Sequence, residues 1–214
     1  MRCDGHSTAV RADVRRGSLE RARVVRLDRG RAWLVGAGLG APRLWQYALN
    51  AALGGAEERL TALEDAEPAA RLDGALRGAR EGLHAAVDVL VERRVPDCAL
   101  LVLLLQGGSL HVAVAGALRA YLGRRGQPER MTPRDQDPAL GILQGTPATT
   151  STVLDPGDLV LAGTSTAFSV SAVGRVATVL QTDPQTPPSV LASLLVEPAR
   201  KAGAAAAAIA LKVR

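Results

Sequence analysis

Residues 98–125 read CALLVLLLQGGSLHVAVAGALRAYLGRR, and the fold turns on how this stretch divides. Gly107-Gly108 cuts it after a first apolar run, and a short turn at Gly116-Ala117 separates SLHVAVAG from LRAYLGRR. Short apolar runs bounded by glycine and polar turns are strand signals. The spacing predicts three consecutive antiparallel strands. The longest apolar run, CALLVLLL at residues 98–105, falls far short of the about 20 residues needed to cross a bilayer as a helix.

On the N-terminal side, Pro96 stops a long amphipathic pattern, LDGALRGAREGLHAAVDVLVERR (residues 72–94), with apolar residues at helical period. An earlier helical stretch, LWQYALNAAL (44–53), is expected to break at Gly54-Gly55, since glycine disfavours helix interiors. Further upstream, ARVVRL (22–27) and RAWLV (31–35) flank Asp28-Arg29-Gly30, the pattern of a β-hairpin. Residues 1–20 are polar and read as irregular, with 1–15 set apart as an N-terminal segment and 16–214 as a single domain.

Downstream, a loop rich in Pro, Thr and Gly (133–152) leads through Pro156-Gly157 to a strand, DLVLAG (158–163). Two helical stretches, SVSAVGRVATVLQ (169–181) and PSVLASLLVEPARKAG (188–203), precede the closing run AAAAAIALKV (204–213). Its alanines suit a helix as well as a strand; the IALKV that follows tips it to strand. Strands around a helical pair, then strands, helices and a last strand, imply a sandwich of antiparallel sheets and helices.

The chain has 214 residues, 47% of them hydrophobic and 22% charged, an ordinary globular composition. Of its 26 basic residues 24 are arginine, and nine of these fall within the first 31 residues. The arginine bias, with abundant Ala, Leu, Gly and Val, fits a GC-rich genome, which points to a bacterial source. With five aromatic residues in all, the chain lacks the stacking faces of a single-strand nucleic-acid binder. Two cysteines and three scattered histidines give neither a disulfide framework nor zinc spacing. The N-terminus MRCDGHSTAV has no apolar signal core, so a soluble, cytoplasmic protein is expected.

Gly36-Ala37-Gly38-Leu39-Gly40-Ala41 fits a dinucleotide fingerprint, which alone carries little. Such a site needs a helix starting in the glycine turn and a second parallel strand ending in an acid about 20 residues on; the region of Glu57 and Glu58 is helical instead. Gly163-Thr164-Ser165-Thr166-Ala167 departs from a nucleophile elbow at its last position, and no histidine follows it.

Taken together and in order, several segments resemble the metal-dependent type-2C serine/threonine protein phosphatases. Val35-Gly36-Ala37-Gly38-Leu39-Gly40-Ala41 is similar to the family's V-A-D-G-x-G-G turn. Gly116-Ala117-Leu118-Arg119-Ala120-Tyr121 resembles G-D-S-R-A-Y, the most specific match. The run from Pro156 to Ala167 resembles P-G-D-x-L-L-L-C-S-D-G-L, with Ser165 at the second aspartate; Ala204-Ala205-Ala206-Ala207 falls on D-N-x-T, and Arg16 to Arg21 on R-x-x-x-E-D. The resemblance implies an α+β fold, a four-layer αββα sandwich of two antiparallel β-sheets flanked by helices.

It also implies a reaction with two magnesium or manganese ions bridged by a water, held by carboxylates. At the matching positions this chain has Arg21, Ala37, Ser165 and Ala204, with Gly38 and Ala205 beside them and Glu20 the one acid left. No metal cofactor is therefore expected. Asp97, Asp135 and Asp158 are possible surrogate ligands, though each also reads as a turn or strand-end acid. Loss of carboxylates with Arg16 kept and Arg21 added turns a cation site into an anion site, since guanidinium groups recognise phosphate. The expectation is an inactive phosphatase-like regulatory module that binds a protein partner, one carrying phosphate; the alternative is an active phosphatase with rearranged ligands. In either case Gly36, Gly38 and Gly40 serve packing and chain reversal.

Overall fold

In the computed structural model, which describes residues 3–10, 22–28, 31–39, 45–88, 96–137 and 139–214, the apolar run at 98–105 lies in β4 (Asp97–Gln106), the middle strand of a five-stranded sheet. That sheet has the order β2-β3-β4-β5-β8, with β2 Ala22–Leu27, β3 Ala32–Leu39, β5 Ser109–Ala115 and β8 Ala148–Val153. A second sheet has the order β1-β10-β9-β6-β7, with β1 Cys3–Val10, β6 Leu118–Arg124, β7 Gln127–Arg130, β9 Leu159–Thr164 and β10 Ala206–Val213. Every described pairing is antiparallel. Helices α1 (Trp45–Ala62) and α2 (Pro68–Asp88) cover the first sheet; α3 (Val170–Thr182) and α4 (Pro188–Lys201) cover the second. The result is the expected αββα sandwich.

Why β4 is apolar without alternation is plain from its two faces. Ala99, Leu101 and Leu103 enter the core between the sheets, while Cys98, Leu100, Val102 and Leu104 enter the core under α1 and α2. A strand buried on both sides has no polar face to show. The last strand works the same way: Ala207, Ile209 and Leu211 face the other sheet, and Ala206, Ala208 and Ala210 face α3 and α4. The small side chains of the alanine tract there lie beneath helices; burial on both faces makes it a strand.

Four expectations need correction. The N-terminal stretch read as irregular contains β1, which pairs along its whole length with β10; its pairing is a backbone matter that the polar sequence does not advertise. Helix α1 continues through Gly54-Gly55, because at Gly55 the absence of a Cβ lets α2 approach. A Cβ on Gly55 would sit inside contact distance of the Gly78 carbonyl oxygen, and one on Gly82 inside that of Ala51. Strand β6 does not pair with β5: at Gly116, with φ of +88°, the chain leaves one sheet for the other. The presumed loop at 133–152 holds most of β8, the edge strand beside β5.

The glycine turn also differs from expectation. Residues 36–39 are strand, running to the end of β3, and a Cβ on Gly36 would collide with Leu49 of α1. Gly36 thus serves packing, as expected, and Gly40 lies outside the described residues.

Candidate functional site

One end of the sandwich gathers most of the singled-out positions. In the first sheet, Ala37 pairs with Ala99 and Gly38 with Cys98, and Leu100 pairs with Ala115 at the end of β5. Gly116 and Ala117 then carry the chain across to Leu118, which pairs with Thr164. The ends of β3, β5 and β9 and the starts of β4, β6 and β10 therefore lie together. Ala37, Gly38, Ser165, Ala204 and Ala205 share this end, all half-buried. Val10, paired with Ala206, and Ala22, paired with Ala37, stand here too. The segment between them holds Arg16, Glu20 and Arg21, which lie outside the described residues.

The loops are joined by a short relay that no motif foretold. The Thr166 hydroxyl donates to the Ala205 carbonyl oxygen at 2.7 Å and lies 2.9 Å from Thr164 Oγ1, which accepts from the Ala207 amide at 3.2 Å. With the Thr166 proton committed to Ala205, Thr164 is the donor between the two hydroxyls. The relay fixes the 3-10 turn Ser165–Phe168 against the start of β10. A Cβ on Gly116 would come within 2.7 Å of Ala99 Cβ and 2.8 Å of the Leu140 carbonyl oxygen. The crossing between sheets is thereby packed shut.

The candidate surrogate acids have other employment. Asp97, at the start of β4, is buried; its Oδ1 accepts the amides of Cys98 (2.7 Å) and Leu143 (3.2 Å), and its Oδ2 that of Gly141 (3.1 Å). It ties the 141–143 segment to the sheet. Asp158 sits at the opposite end of the sandwich, just before Leu159, which pairs with Lys212 and Gly123. It accepts two bonds from Arg124, at 3.1 Å from Nε and 2.6 Å from its terminal nitrogen, and one from the Asp155 amide at 2.9 Å. Asp135 is exposed on its loop. Among the described residues no group of three or more His, Cys, Asp or Glu is placed to hold a metal ion.

Burial pushes the Asp158 carboxyl up, but the Arg124 guanidinium and the Asp155 amide outweigh it and hold the pKa below the ordinary 3.8. A lowered folded-state value means stability present above about pH 4 and lost as pH falls through the folded pKa. An Asp158→Asn variant should be less stable than the parent at pH 7, with the gap closing on acidification. Urea denaturation at a series of pH values checks this. The Cys98 thiol is fully buried; burial, and next the Asp97 charge, push its pKa up to about 12, against a smaller opposing effect of the Ala37 backbone. A thiol so protonated is no nucleophile.

At the described positions matched to the metal acids, the donor set is Ala37, Ser165 and Ala204: two methyl groups and one hydroxyl. Divalent magnesium and manganese want several oxygen ligands, anionic ones above all. These residues do not fit a two-metal centre. At these three positions the side chains offer one hydroxyl and no charge.

No protein-family profile matches the chain, and no curated protein matches it. Solved structures do. The Mycobacterium tuberculosis serine/threonine phosphatase PstP is similar over 99% of both chains with a TM-score of 0.79 and 18% identity. The catalytic domain of PstP in complex with two manganese ions matches over 99% of both chains with a TM-score of 0.80 and 19% identity. PppA, a key regulatory component of T6SS in Pseudomonas aeruginosa, matches over 99% of this chain and 98% of its own, with a TM-score of 0.74 and 17% identity. The fold is that of the type-2C phosphatases. Among the described residues no helix is long and apolar enough to cross a membrane.

Proposed function

We propose that this chain is a catalytically inactive protein of the type-2C phosphatase fold that works as a binding or regulatory module in bacterial signalling. The observation that carries this reading is the donor set at the site end: Ala37, Ser165 and Ala204 bring no carboxylate, and Asp97, the nearest buried acid in the described structure, spends both oxygens on backbone amides. Two divalent cations placed close together demand anionic ligands to offset four positive charges. Without them the water that attacks the phosphate is neither bound nor acidified.

The fold's regulatory bacterial relatives, such as PppA, support a role in which this fold meets a protein partner. Arg16 and Arg21 supply a cationic element suited to a phosphorylated one, because a guanidinium pairs with phosphate oxygens through two parallel bonds. The residues that flank their segment, Val10 and Ala22, both stand at the site end.

The test is turnover of p-nitrophenyl phosphate and of a phosphothreonine peptide by the full chain with millimolar manganese. The expected rate equals that of the blank without protein; turnover that a chelator abolishes contradicts the proposal. For the arginines, phosphothreonine-peptide binding should weaken at least about tenfold in an Arg16→Ala, Arg21→Ala double variant. Unchanged binding removes the two arginines from the account.

A further inference from the structure

On the outer face of the sheet under α3, Gly123, Leu159 and Lys212 stand in one cross-strand row, with Tyr121 and Leu161 in the next. Gly123 puts no side chain into its row, and a hollow of about 510 Å³ opens there between the sheet and α3. The facing wall of α3 is Val173, Val176, Ala177 and Leu180, the i, i+3, i+4, i+7 stripe of one helical face. The stripe leaves the hollow unfilled: Val176 is buried, yet Val173 is 46% exposed. Three glycines and two prolines, Pro128 and Pro184, line the remainder. Such walls are flat and largely apolar.

The mouth is cationic. Lys212 Nζ donates to the Pro184 carbonyl oxygen at 2.7 Å, which leaves two of its three donors for another acceptor. The charge of Asp183 acts on Lys212 without forming an ion pair with it; the Asp183 carboxylate accepts the Gln185 amide at 2.9 Å and, at 3.1 Å, the Thr186 hydroxyl, whose shorter bond of 2.7 Å goes to the Asp183 carbonyl oxygen. Among the described residues no carboxylate forms an ion pair with Lys212 or with Arg125, which lines the same hollow. The site lies at the opposite end from Thr164 and Ser165, since Leu159 opens β9 and Thr164 closes it.

We propose that this hollow binds a small, flat, apolar monoanion, a carboxylate on an aromatic or alicyclic body, with the body between α3 and the sheet and the charge beside Lys212 and Arg125. Its size is within the range of small-ligand sites, and mostly apolar walls with a few convergent polar groups are what such sites have in common. The two unpaired cations select an anion over a neutral body of the same shape.

The probe is 2-naphthoate, titrated calorimetrically into the full-length chain, with 2-naphthalenemethanol as its uncharged counterpart. Saturable binding is expected with Kd on the order of 100 µM, at least about tenfold weaker for the alcohol and for naphthoate on Lys212→Met. Gly123→Leu fills the hollow. The ideal Cβ there meets only ordinary contacts, at 3.5 and 3.6 Å from Leu159 atoms, and a strand-interior glycine is a weak point, so this variant should melt no lower than the parent and bind no naphthoate. Ala177→Trp on the helix wall should block binding in the same way. The proposal is overturned by no saturation up to about 5 mM, by equal affinity for acid and alcohol, or by parent-like binding in both filled variants.

Discussion

Gly54→Ala should stabilise this protein and Gly55→Ala should destabilise it, although the two residues are neighbours in the same helix. No atom lies within 4 Å of a Cβ built on Gly54, so the substitution gains about 0.5–1 kcal/mol of helix propensity and unfolded-state entropy at no steric cost. At Gly55 the same methyl group meets the Gly78 carbonyl oxygen of α2, and Gly78 in turn meets the Gly55 carbonyl. Backbone cannot rotate aside as a side chain can. Parting two helices that also bury Leu53, Leu60, Leu72 and Leu83 should cost about 2–3 kcal/mol net. For a domain of this size that is a fall in Tm of roughly 4–12 °C, against a rise of roughly 1–4 °C for Gly54→Ala. Thermal melts of the two single variants decide the matter; a shift of the same sign in both would mean that α1 and α2 do not cross at Gly55 and Gly78.

Asp97→Ala should cost about 3 kcal/mol and loosen one segment in particular. The carboxylate accepts three backbone amides, those of Cys98 and Gly141 being buried. Each buried donor left without an acceptor costs about 1–3 kcal/mol. The 141–143 segment would still be held by the bond from the Ile142 amide to the Cys98 carbonyl oxygen (2.8 Å) and by Arg80 on the Ile142 carbonyl oxygen, so the variant should stay folded while the Gly141 and Leu143 amides exchange faster with solvent. Hydrogen exchange on parent and variant measures this. Unchanged protection at Gly141 and Leu143 would free Asp97 for another role, that of a surrogate ligand included.

What the sequence shows and what it hides divide along physical lines. The run at 98–105 announces a strand buried on both faces, and Ser169, whose hydroxyl accepts the Ala172 amide, announces the start of α3. Periodicity says nothing, however, about which sheet a strand joins. Strand β6 follows β5 at once yet belongs to the other sheet, a choice made by the left-handed backbone at Gly116. Local propensity also misleads at Gly54-Gly55, where the helix runs on and close packing against α2 makes glycine necessary at Gly55. The sequence of β1 shows no apolar alternation, and the strand lies at a sheet edge paired along its whole length with β10.

The site divides likewise. Ala37, Ser165 and Ala204 could be placed by motif, and the sheet register brings their strand ends together. The relay through Thr164 and Thr166 had no such signal, since threonine at a strand end is common and its partner Ala205 is 39 residues away. Asp158 shows the limit of motif matching. It stands in a motif beside Ser165 in sequence, yet β9 puts the length of a strand between them, and Arg124 holds it at the far end.

Isothermal titration of the chelator-treated protein with manganese tests the central claim most directly, because manganese tolerates imperfect oxygen sites. The account predicts no saturable heat at micromolar to millimolar metal while circular dichroism shows the protein folded. Saturable binding at micromolar concentration, lost when candidate acids such as Glu20 or Asp135 are replaced, would contradict it and make this chain a metal-binding phosphatase with rearranged ligands.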